Sequence, residues 1–272
     1  MRTLLIGLLL VCQMALAQPD AAQGGGNANP FPRAAASYLV QVNGSPLWEK
    51  AAAQRLPPAS LTKLMTALLV LDHQQSQPQT VVVVSQQATQ ESGTRLRLRK
   101  GERFRVEDLL GAALINSDND ACHALAEHVA GSEAHFIQLM NQRAQQLGMR
   151  NTHFANACGH DAADHYSTAQ DLAVLANEAL KHKLVTDLAA KNSMEITPLG
   201  GTRTYKLENK NALLGRYPGV LGLKTGFTPK AGKCLIAYAE RGAVRVLLVM
   251  LNAPNRWWDA TDILDLAFAR ER

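Results

Sequence analysis

The sequence is short of aromatic residues, cysteines and metal-binding motifs. Aromatic side chains make up 5% and charged side chains 19% of its 272 residues, and the net charge is +5. A small, dispersed positive excess without interleaved aromatics argues against a nucleic-acid-binding surface. Neither C-x-x-C nor H-E-x-x-H occurs, which disfavours zinc ribbons, dithiol redox sites and zinc peptidases. The apolar content of 47% predicts instead a globular protein with a sizeable core.

The N-terminus has the features of a signal peptide. Arg2 gives a basic start, residues 4–11 are apolar, and Ala15-Leu16-Ala17 has the small-x-small pattern of a cleavage site. The apolar stretch is too short to span a bilayer. We therefore expect a signal peptide over residues 1–17, a flexible Gly/Pro/Asn-rich linker over 18–33 and a single domain over 34–272.

Three cysteines remain after the predicted cleavage, Cys122, Cys158 and Cys234. An odd number allows at most one disulfide, and we expect these thiols to pack in the interior.

The remaining pattern predicts strands at both ends of the domain and helices between them. Asn43-Gly44 suits the turn of an opening β-hairpin, and Thr168 with Asp171 suits a helix start. We predict helices over 60–72, 106–115, 120–130, 132–147, 168–181 and 257–270, and further strands over 80–85, 95–99, 203–208, 219–226, 233–240 and 244–251. The fold class expected is α/β, with a sheet built from both chain ends and an inserted, mostly helical lobe.

Ser60 and Lys63 stand three residues apart at a predicted helix start, in Ser60-Leu61-Thr62-Lys63. This spacing places both side chains on one face, about one turn apart. A serine hydroxyl is a weak nucleophile until a base removes its proton. A lysine in apolar surroundings near a helix N-terminus can be that base, so the pair predicts covalent catalysis by Ser60.

Ser117-Asp118-Asn119 falls between two predicted helices, where a loop can lean over a cleft. The Ser117 hydroxyl can relay a proton between Lys63 and a leaving group, and the Asn119 amide can hold a substrate amide. Asp118 also suits the N-cap of the following helix.

Lys224-Thr225-Gly226 lies on a predicted strand. Lys224 and Thr225 can bind a carboxylate, and Gly226 lets another backbone approach the strand closely. The backbone N–H groups of Ser60 and Phe227 are candidates for an oxyanion hole.

The three motifs, in this order, are the signature of serine enzymes that react with penicillin. The sequence resembles the D-alanyl-D-alanine carboxypeptidase family of low-molecular-mass penicillin-binding proteins from about residue 36 to 270. Further matching segments are Pro57-Pro58-Ala59, Asn119-Asp120-Ala121-Cys122, Leu147-Gly148-Met149, His165-Tyr166-Ser167-Thr168-Ala169, Asp171-Leu172-Ala173, Asn209-x-Asn211 and Gly226-Phe227-Thr228.

The resemblance implies a β-lactamase/transpeptidase-like fold and a serine carboxypeptidase that removes the terminal D-Ala from peptidoglycan stem peptides. Its catalytic residues would be Ser60, Lys63, Ser117 and Asn119. Lys224, Thr225, Gly226 and Phe227 would bind the substrate. β-Lactams would act as inhibitors, no cofactor or metal is implied, and we expect an exported enzyme of the periplasm or cell-wall space, soluble or loosely membrane-associated.

Three other functions are compatible with part of this pattern. An endopeptidase would cleave D-alanyl cross-links in peptidoglycan with the same motifs. A class A β-lactamase needs a Glu after the S-D-N helices to activate the deacylating water, and between Ser132 and Glu178 the chain has only Glu133. A non-catalytic peptide-binding protein would not need Ser60 and Lys63. Residues 160–165, HDAADH, have metal-ligand chemistry but lack a spaced third His, and we expect a loop there.

Overall fold

The computed structural model describes residues 29–270. The predicted signal peptide, most of the predicted linker and the last two residues lie outside this range. Among residues 29–270, no helix is both long and apolar enough to cross a bilayer.

A five-stranded antiparallel sheet joins the two ends of the chain. The N-terminal strands β1 (Ser37–Val42) and β2 (Ser45–Lys50) form a hairpin whose turn residues Asn43 and Gly44 have φ values of 51° and 84°. The C-terminal strands are β7 (Val220–Thr228), β8 (Gly232–Arg241) and β9 (Val244–Leu251), and the sheet order is β2-β1-β9-β8-β7. The predicted fold class is thereby confirmed.

Strand β9 is apolar along nearly its whole length because both faces of the sheet are covered. Val246, Leu248 and Met250 face the final helix α7 (Arg256–Ala269), whose Ile263 and Leu264 belong to the same core. The alternate β9 residues belong to a second, larger core on the opposite face, which includes the central helices. The sheet therefore lies between two layers of helices, and alternate residues of β9 pack against each layer.

The middle of the chain forms the helical lobe. Its helices are α1 (Lys63–Asp72), α2 (Val106–Gly111), α3 (Asn119–Ala130), α4 (Glu133–Gln146), α5 (Ala169–Ala179) and α6 (Lys183–Ala189). Two small antiparallel sheets accompany them, one of β3 (Val81–Val83) with β4 (Arg103–Arg105), the other of β5 (Ser193–Ile196) with β6 (Tyr205–Glu208). Strands β4 and β5 and helix α6 were not predicted from the sequence.

The strand predicted over 95–99 is wrong. Arg97 has a φ of 59°, which interrupts an extended backbone. The N–H groups of Leu96 and Leu98 donate to the Asp120 carboxylate at 3.2 and 3.0 Å instead of to a neighbouring strand. The alternation of Leu and Arg in this segment therefore reflects a loop fastened to α3.

Thr168 accepts a hydrogen bond from the Asp171 N–H at 3.0 Å and begins α5, as predicted. Cys122, Cys158 and Cys234 are all free and buried, in agreement with a packing role.

Candidate active site

Ser60 lies in a tight turn immediately before α1. Residues Ala59–Thr62 form one 3-10 turn, and Ala59 has a left-handed φ of 50°. Such a conformation costs a non-glycine residue about 1–3 kcal/mol and is concentrated at functional sites. The helix predicted to begin at Ser60 is therefore present, but its first turn is tighter than an α-helix.

Two glycines press against the backbone of this turn. A Cβ atom on Gly159 would lie 2.0 Å from the Ala59 carbonyl oxygen and 2.9 Å from the Ser60 nitrogen. A Cβ atom on Gly226 would lie 3.1 Å from the same nitrogen. The close approach predicted at Gly226 is thus made by the protein's own nucleophile turn. Gly159 was not singled out from the sequence.

Lys63 is fully buried and directs its ammonium group to three oxygens. Its Nζ donates to Ser60 Oγ at 3.1 Å, to Asn119 Oδ1 at 2.7 Å and to the Cys158 carbonyl oxygen at 2.7 Å. These bonds use all three donors of an ammonium. The structure therefore places the proposed base in contact with the proposed nucleophile.

Ser117 adopts a left-handed conformation, with φ 69°, at the end of a π-helical turn that follows α2. Its hydroxyl accepts a hydrogen bond from Lys224 Nζ at 2.9 Å, and Lys224 also donates to the Thr225 carbonyl oxygen at 2.9 Å. Ser117 is thus hydrogen-bonded to Lys224, a contact that the expected proton relay from Lys63 did not include.

Lys224 is almost completely buried, at 1% exposure. Burial lowers the pKa of its ammonium group well below the usual value, and the positive charges of Lys63 and Arg256 lower it further. A bound anion would favour the protonated form again, which suits a residue expected to recognise a carboxylate.

The Asn119 side chain is engaged at both ends by the protein. Its oxygen accepts from Lys63, and its Nδ2 donates to the Ser92 carbonyl oxygen at 2.6 Å. In this arrangement the amide orients Lys63. Its expected contact with a substrate amide requires Nδ2 to leave or share its bond to Ser92. Asp118 stands at the N-cap of α3, but its side chain makes no capping hydrogen bond.

Arg256, at the start of α7, is hydrogen-bonded to the backbone of strands β7 and β8. Its Nη1 donates to the carbonyl oxygens of Gly226 and Cys234 at 2.8 and 3.0 Å. A guanidinium group bonded to the K-T-G strand adds positive charge near Lys224. Nothing in the sequence singled out Arg256, because a lone Arg before a helix is common.

A cleft of about 360 Å³ opens over these groups. Ser60, Ser117, Asn119 and the largely exposed Phe227 line it, while Lys63, Lys224, Thr225 and Gly226 lie behind the lining. The remaining lining residues are Gly93, Thr94, Cys158, Gly159, His160, Asp161, Thr228 and Pro229. All eight predicted site residues thus gather at one place.

The loop expected over residues 160–165 contributes to this cleft. Asp161 accepts a hydrogen bond from Thr228 Oγ1 at 2.6 Å and fastens the loop to the end of β7. Glu133, the one glutamate in the region where a β-lactamase needs its base, does not line the cleft and accepts from the Ala157 N–H at 3.0 Å.

A serine and a buried lysine, held between a sheet edge and a helical lobe, are the defining features of the serine–lysine acyl-transfer enzymes. The sequence model of the peptidase family S11, D-alanyl-D-alanine carboxypeptidase, matches residues 28–255. The chain belongs to this family.

Solved structures agree with this assignment. The Streptomyces K15 DD-transpeptidase superposes with a TM-score of 0.84 at 30% identity, over 89% of this chain and 100% of that chain. Penicillin-binding protein D2 from Listeria monocytogenes, in its ampicillin-bound form, gives a TM-score of 0.76 at 34% identity, over 88% and 99%.

Curated relatives carry related names. D-alanyl-D-alanine carboxypeptidase DacF of Bacillus subtilis is 35% identical, over 98% of this chain and 70% of the relative. A D-alanyl-D-alanine endopeptidase of Escherichia coli is 33% identical, over 76% and 66%. The chain spans only about half, 54% and 53%, of the Escherichia coli carboxypeptidases DacC and DacD.

Proposed function

We propose that this protein is a serine D-alanyl-D-alanine carboxypeptidase that removes the terminal D-Ala from peptidoglycan stem peptides. The observation that carries the proposal is the 3.1 Å hydrogen bond between Lys63 Nζ and Ser60 Oγ at a cleft that Ser117 also lines. The substrate class is inferred from the family, and the reaction, acyl transfer to Ser60 with Lys63 as the base, is inferred from the geometry.

In the proposed acylation, the Ser60 oxygen attacks the carbonyl carbon of the penultimate D-Ala. Lys63, in its neutral form, takes the hydroxyl proton as the C–O bond forms. The N–H groups of Ser60 and Phe227 stabilise the negative oxygen of the tetrahedral intermediate. The C–N bond then breaks, and the proton held by Lys63 passes through the Ser117 hydroxyl to the leaving amine of D-Ala.

Water then attacks the carbonyl carbon of the Ser60 ester and gives a proton to Lys63. The ester C–O bond breaks, Lys63 returns the proton to Ser60 Oγ, and the shortened peptide is released. Asn119 acts as a positioning residue for Lys63 throughout, since its oxygen accepts from Lys63 Nζ at 2.7 Å. No step in this sequence uses a metal or an organic cofactor.

The substrate carboxylate is proposed to bind beside Lys224 and Thr225. Lys224 donates to Ser117 and to the Thr225 carbonyl oxygen, which leaves one of its three donors for a ligand. Because the ammonium is buried, an anion that reaches it is attracted more strongly than in water. This recognition would select peptides with a free terminal carboxylate.

We infer that β-lactams acylate Ser60 as mimics of the D-Ala-D-Ala terminus. The ampicillin-bound Listeria neighbour supports this inference. An ordinary class A β-lactamase is disfavoured because Glu133 is held away from the cleft. The penicilloyl ester on Ser60 should therefore be long-lived.

The test uses the purified chain, a fluorescent penicillin and a pentapeptide ending in D-Ala-D-Ala. The wild type should be labelled and should release D-Ala, and Ser60→Ala should do neither. Ser45→Ala, in the exposed hairpin strand β2, is the matched control and should retain both activities. Absence of both activities in the wild type, or their survival in Ser60→Ala, would refute the proposal.

Endopeptidase activity is the second candidate, favoured by the relative that bears that name. The two activities share acylation by Ser60 and differ in whether the leaving group is a free D-Ala or a cross-linked stem. Cross-linked muropeptides, incubated beside the pentapeptide at equal concentration, separate them. We expect faster release of D-Ala than of monomeric muropeptides.

Export is also proposed, on the strength of the signal-peptide pattern in residues 1–17. The catalytic unit would then be residues 34–272, acting in the periplasm or cell-wall space. Mass spectrometry of the protein recovered from its native cells should find an N-terminus at Gln18. An intact N-terminal Met would contradict cleavage.

A further inference from the structure

Beside the cleft, three glutamates converge on one histidine. His123, on α3, places Nδ1 2.7 Å from Glu91 Oε1 and 3.9 Å from Glu133 Oε2. Its other ring nitrogen lies 3.6 Å from Glu127 Oε1. None of these residues has a part in the proposed acyl transfer.

Glu91 Oε1, His123 Nδ1 and Glu133 Oε2 have the separations of metal ligands. Each of the three residues offers one ligand atom, and these atoms lie within 4.8 Å of one another. A tetrahedral zinc ion with bonds of ~2.0–2.1 Å would require ligand atoms roughly 3.3 Å apart. The two separations that include His123 Nδ1, 2.7 and 3.9 Å, bracket that value.

The groups around these three atoms also match a metal site. A ligating imidazole usually has a carboxylate or carbonyl at its second nitrogen, which fixes its tautomer, and ligating carboxylates are themselves hydrogen-bonded. Glu127 lies at the second nitrogen of His123. Glu133 Oε1 accepts from the Ala157 N–H at 3.0 Å, and Glu91 Oε2 lies 2.7 Å from His160 Nε2.

The cluster carries more negative than positive charge. Within residues 29–270, no Lys or Arg nitrogen lies within 4.0 Å of the carboxylates of Glu91, Glu127 or Glu133; their ion-pair partners are histidines. Glu127 Oε2 is buried without a hydrogen-bond partner in this part of the chain.

We propose that Glu91, His123 and Glu133 bind a divalent transition-metal ion of the zinc class, with water as the fourth ligand. The imidazole ligand favours zinc over magnesium or calcium, which prefer oxygen ligands alone. The ion replaces the proton shared between His123 and Glu91, and that proton passes to solvent. The sequence predicted no metal site, because these ligands come from three separate segments without a short ligand spacing.

The position of the site gives the ion a structural role. Glu91 precedes Ser92, whose carbonyl oxygen holds the Asn119 amide, and Asn119 in turn holds Lys63. His123 stands one helical turn after Asn119 on α3. A bound ion would tie the loop before Ser92 to helices α3 and α4. This proposal does not depend on the proposed peptidase activity.

The experiment uses the tag-free chain after treatment with a chelator. Isothermal titration with Zn²⁺ should show one equivalent bound, and Co²⁺ should give the visible absorption of a four-coordinate site. Glu91→Gln and His123→Gln should abolish both signals. Glu127→Gln, which changes an outer residue, should weaken binding roughly 10–100-fold. The matched control His135→Gln, at an exposed position on α4, should bind as the wild type does.

Thermal unfolding with and without Zn²⁺ supplies an independent measurement, since a ligand of the native state raises its melting temperature. The wild type and His135→Gln should be stabilised by Zn²⁺, and the two ligand variants should not. Lack of saturable Zn²⁺ binding by the wild type would overturn the proposal, as would unchanged binding in both ligand variants. The Co²⁺ spectrum of the wild type decides the question even where a variant fails to fold.

Discussion

Lys224 Nζ lies 2.9 Å from the hydroxyl oxygen of Ser117, a residue 107 positions earlier in the chain. The site therefore contains two serine–lysine pairs, since Lys63 contacts Ser60 in the same way at 3.1 Å. One pair contains the proposed nucleophile, and the other joins the proposed proton relay to the proposed carboxylate-binding lysine.

Ser117→Ala removes the relay and leaves Lys224 without its hydroxyl partner. We expect penicillin labelling and D-Ala release to fall roughly 10²–10⁴-fold, the usual contribution of a positioned acid–base group. Ser92→Ala is the control, because it removes a nearby hydroxyl but keeps the carbonyl that holds Asn119. Acylation at the wild-type rate in Ser117→Ala would show that the proton takes another route.

Two substitutions of Lys63 distinguish a role as a base from a role as a fixed positive charge. Lys63→Met leaves a side chain of similar length without a proton acceptor, and labelling should become at least about 10²-fold slower. Lys63→Arg keeps the charge but cannot lose its proton in a protein, so it should be equally inactive. The labelling rate of each variant is measured beside that of Lys100→Met, an exposed control. Substantial activity in Lys63→Arg would indicate an electrostatic role instead.

Gly159→Ala should disrupt the nucleophile turn. Its φ of 90° is unfavourable for alanine, and the added Cβ would come 2.0 Å from the Ala59 carbonyl oxygen. Gly148→Ala is a matched control: its φ is 77°, but a Cβ there meets no atom within 4 Å. Both variants carry the strain of a left-handed residue, about 1–3 kcal/mol.

The clash predicts a difference between these two alanine variants. Gly159→Ala should unfold at lower urea concentration than Gly148→Ala and should lose penicillin labelling, whereas Gly148→Ala should keep it. Equal midpoints together with equal labelling would mean that the turn adapts to a side chain at residue 159.

The sequence was sufficient to predict contacts between residues close together in the chain. Ser60 and Lys63 are three residues apart where the 3-10 turn meets α1, so their spacing alone placed them together. The partners of Lys224 and Asn119 lie 107 and 56 residues away. The order of the motifs predicts that these residues share one site. Their pairing depends on how the lobe packs against the sheet, so the Ser117–Lys224 hydrogen bond was not predicted.

Residues that act through tertiary contact escaped prediction. Residue 159 must be glycine because the Ala59 carbonyl packs against it, and the neighbouring sequence does not predict that contact. Similarly, the regular alternation in residues 95–99 predicted a strand, yet the acceptor for Leu96 and Leu98 is the side chain of Asp120. A local pattern specifies which hydrogen bonds a segment needs, but not which distant group satisfies them.

Asp118 should make the free energy of unfolding fall as the pH rises from 4 to 7. Burial raises the pKa of its carboxyl from 3.8 to about 7; the hydrogen bond from Asn116 opposes this, and the charge of Asp120 adds to it. Its Oδ2 is buried without a hydrogen-bond partner among the described residues. Between pH 4 and 7 the folded state then holds a proton that the unfolded state has lost. This group therefore lowers the free energy of unfolding as pH rises, by at most about 1.4 kcal/mol per unit.

Asp118→Asn is neutral at every pH and lacks this dependence. The variant should gain stability relative to the wild type as the pH rises from 4 to 7, and the gain should level off above pH 7. Urea unfolding at pH 5, 6, 7 and 8 measures it, with Asp164→Asn, an exposed carboxylate, as the control. A difference between Asp118→Asn and the wild type that stays constant from pH 5 to 8 would show that Asp118 is ionised throughout, and that its buried oxygen is stabilised by a partner such as water.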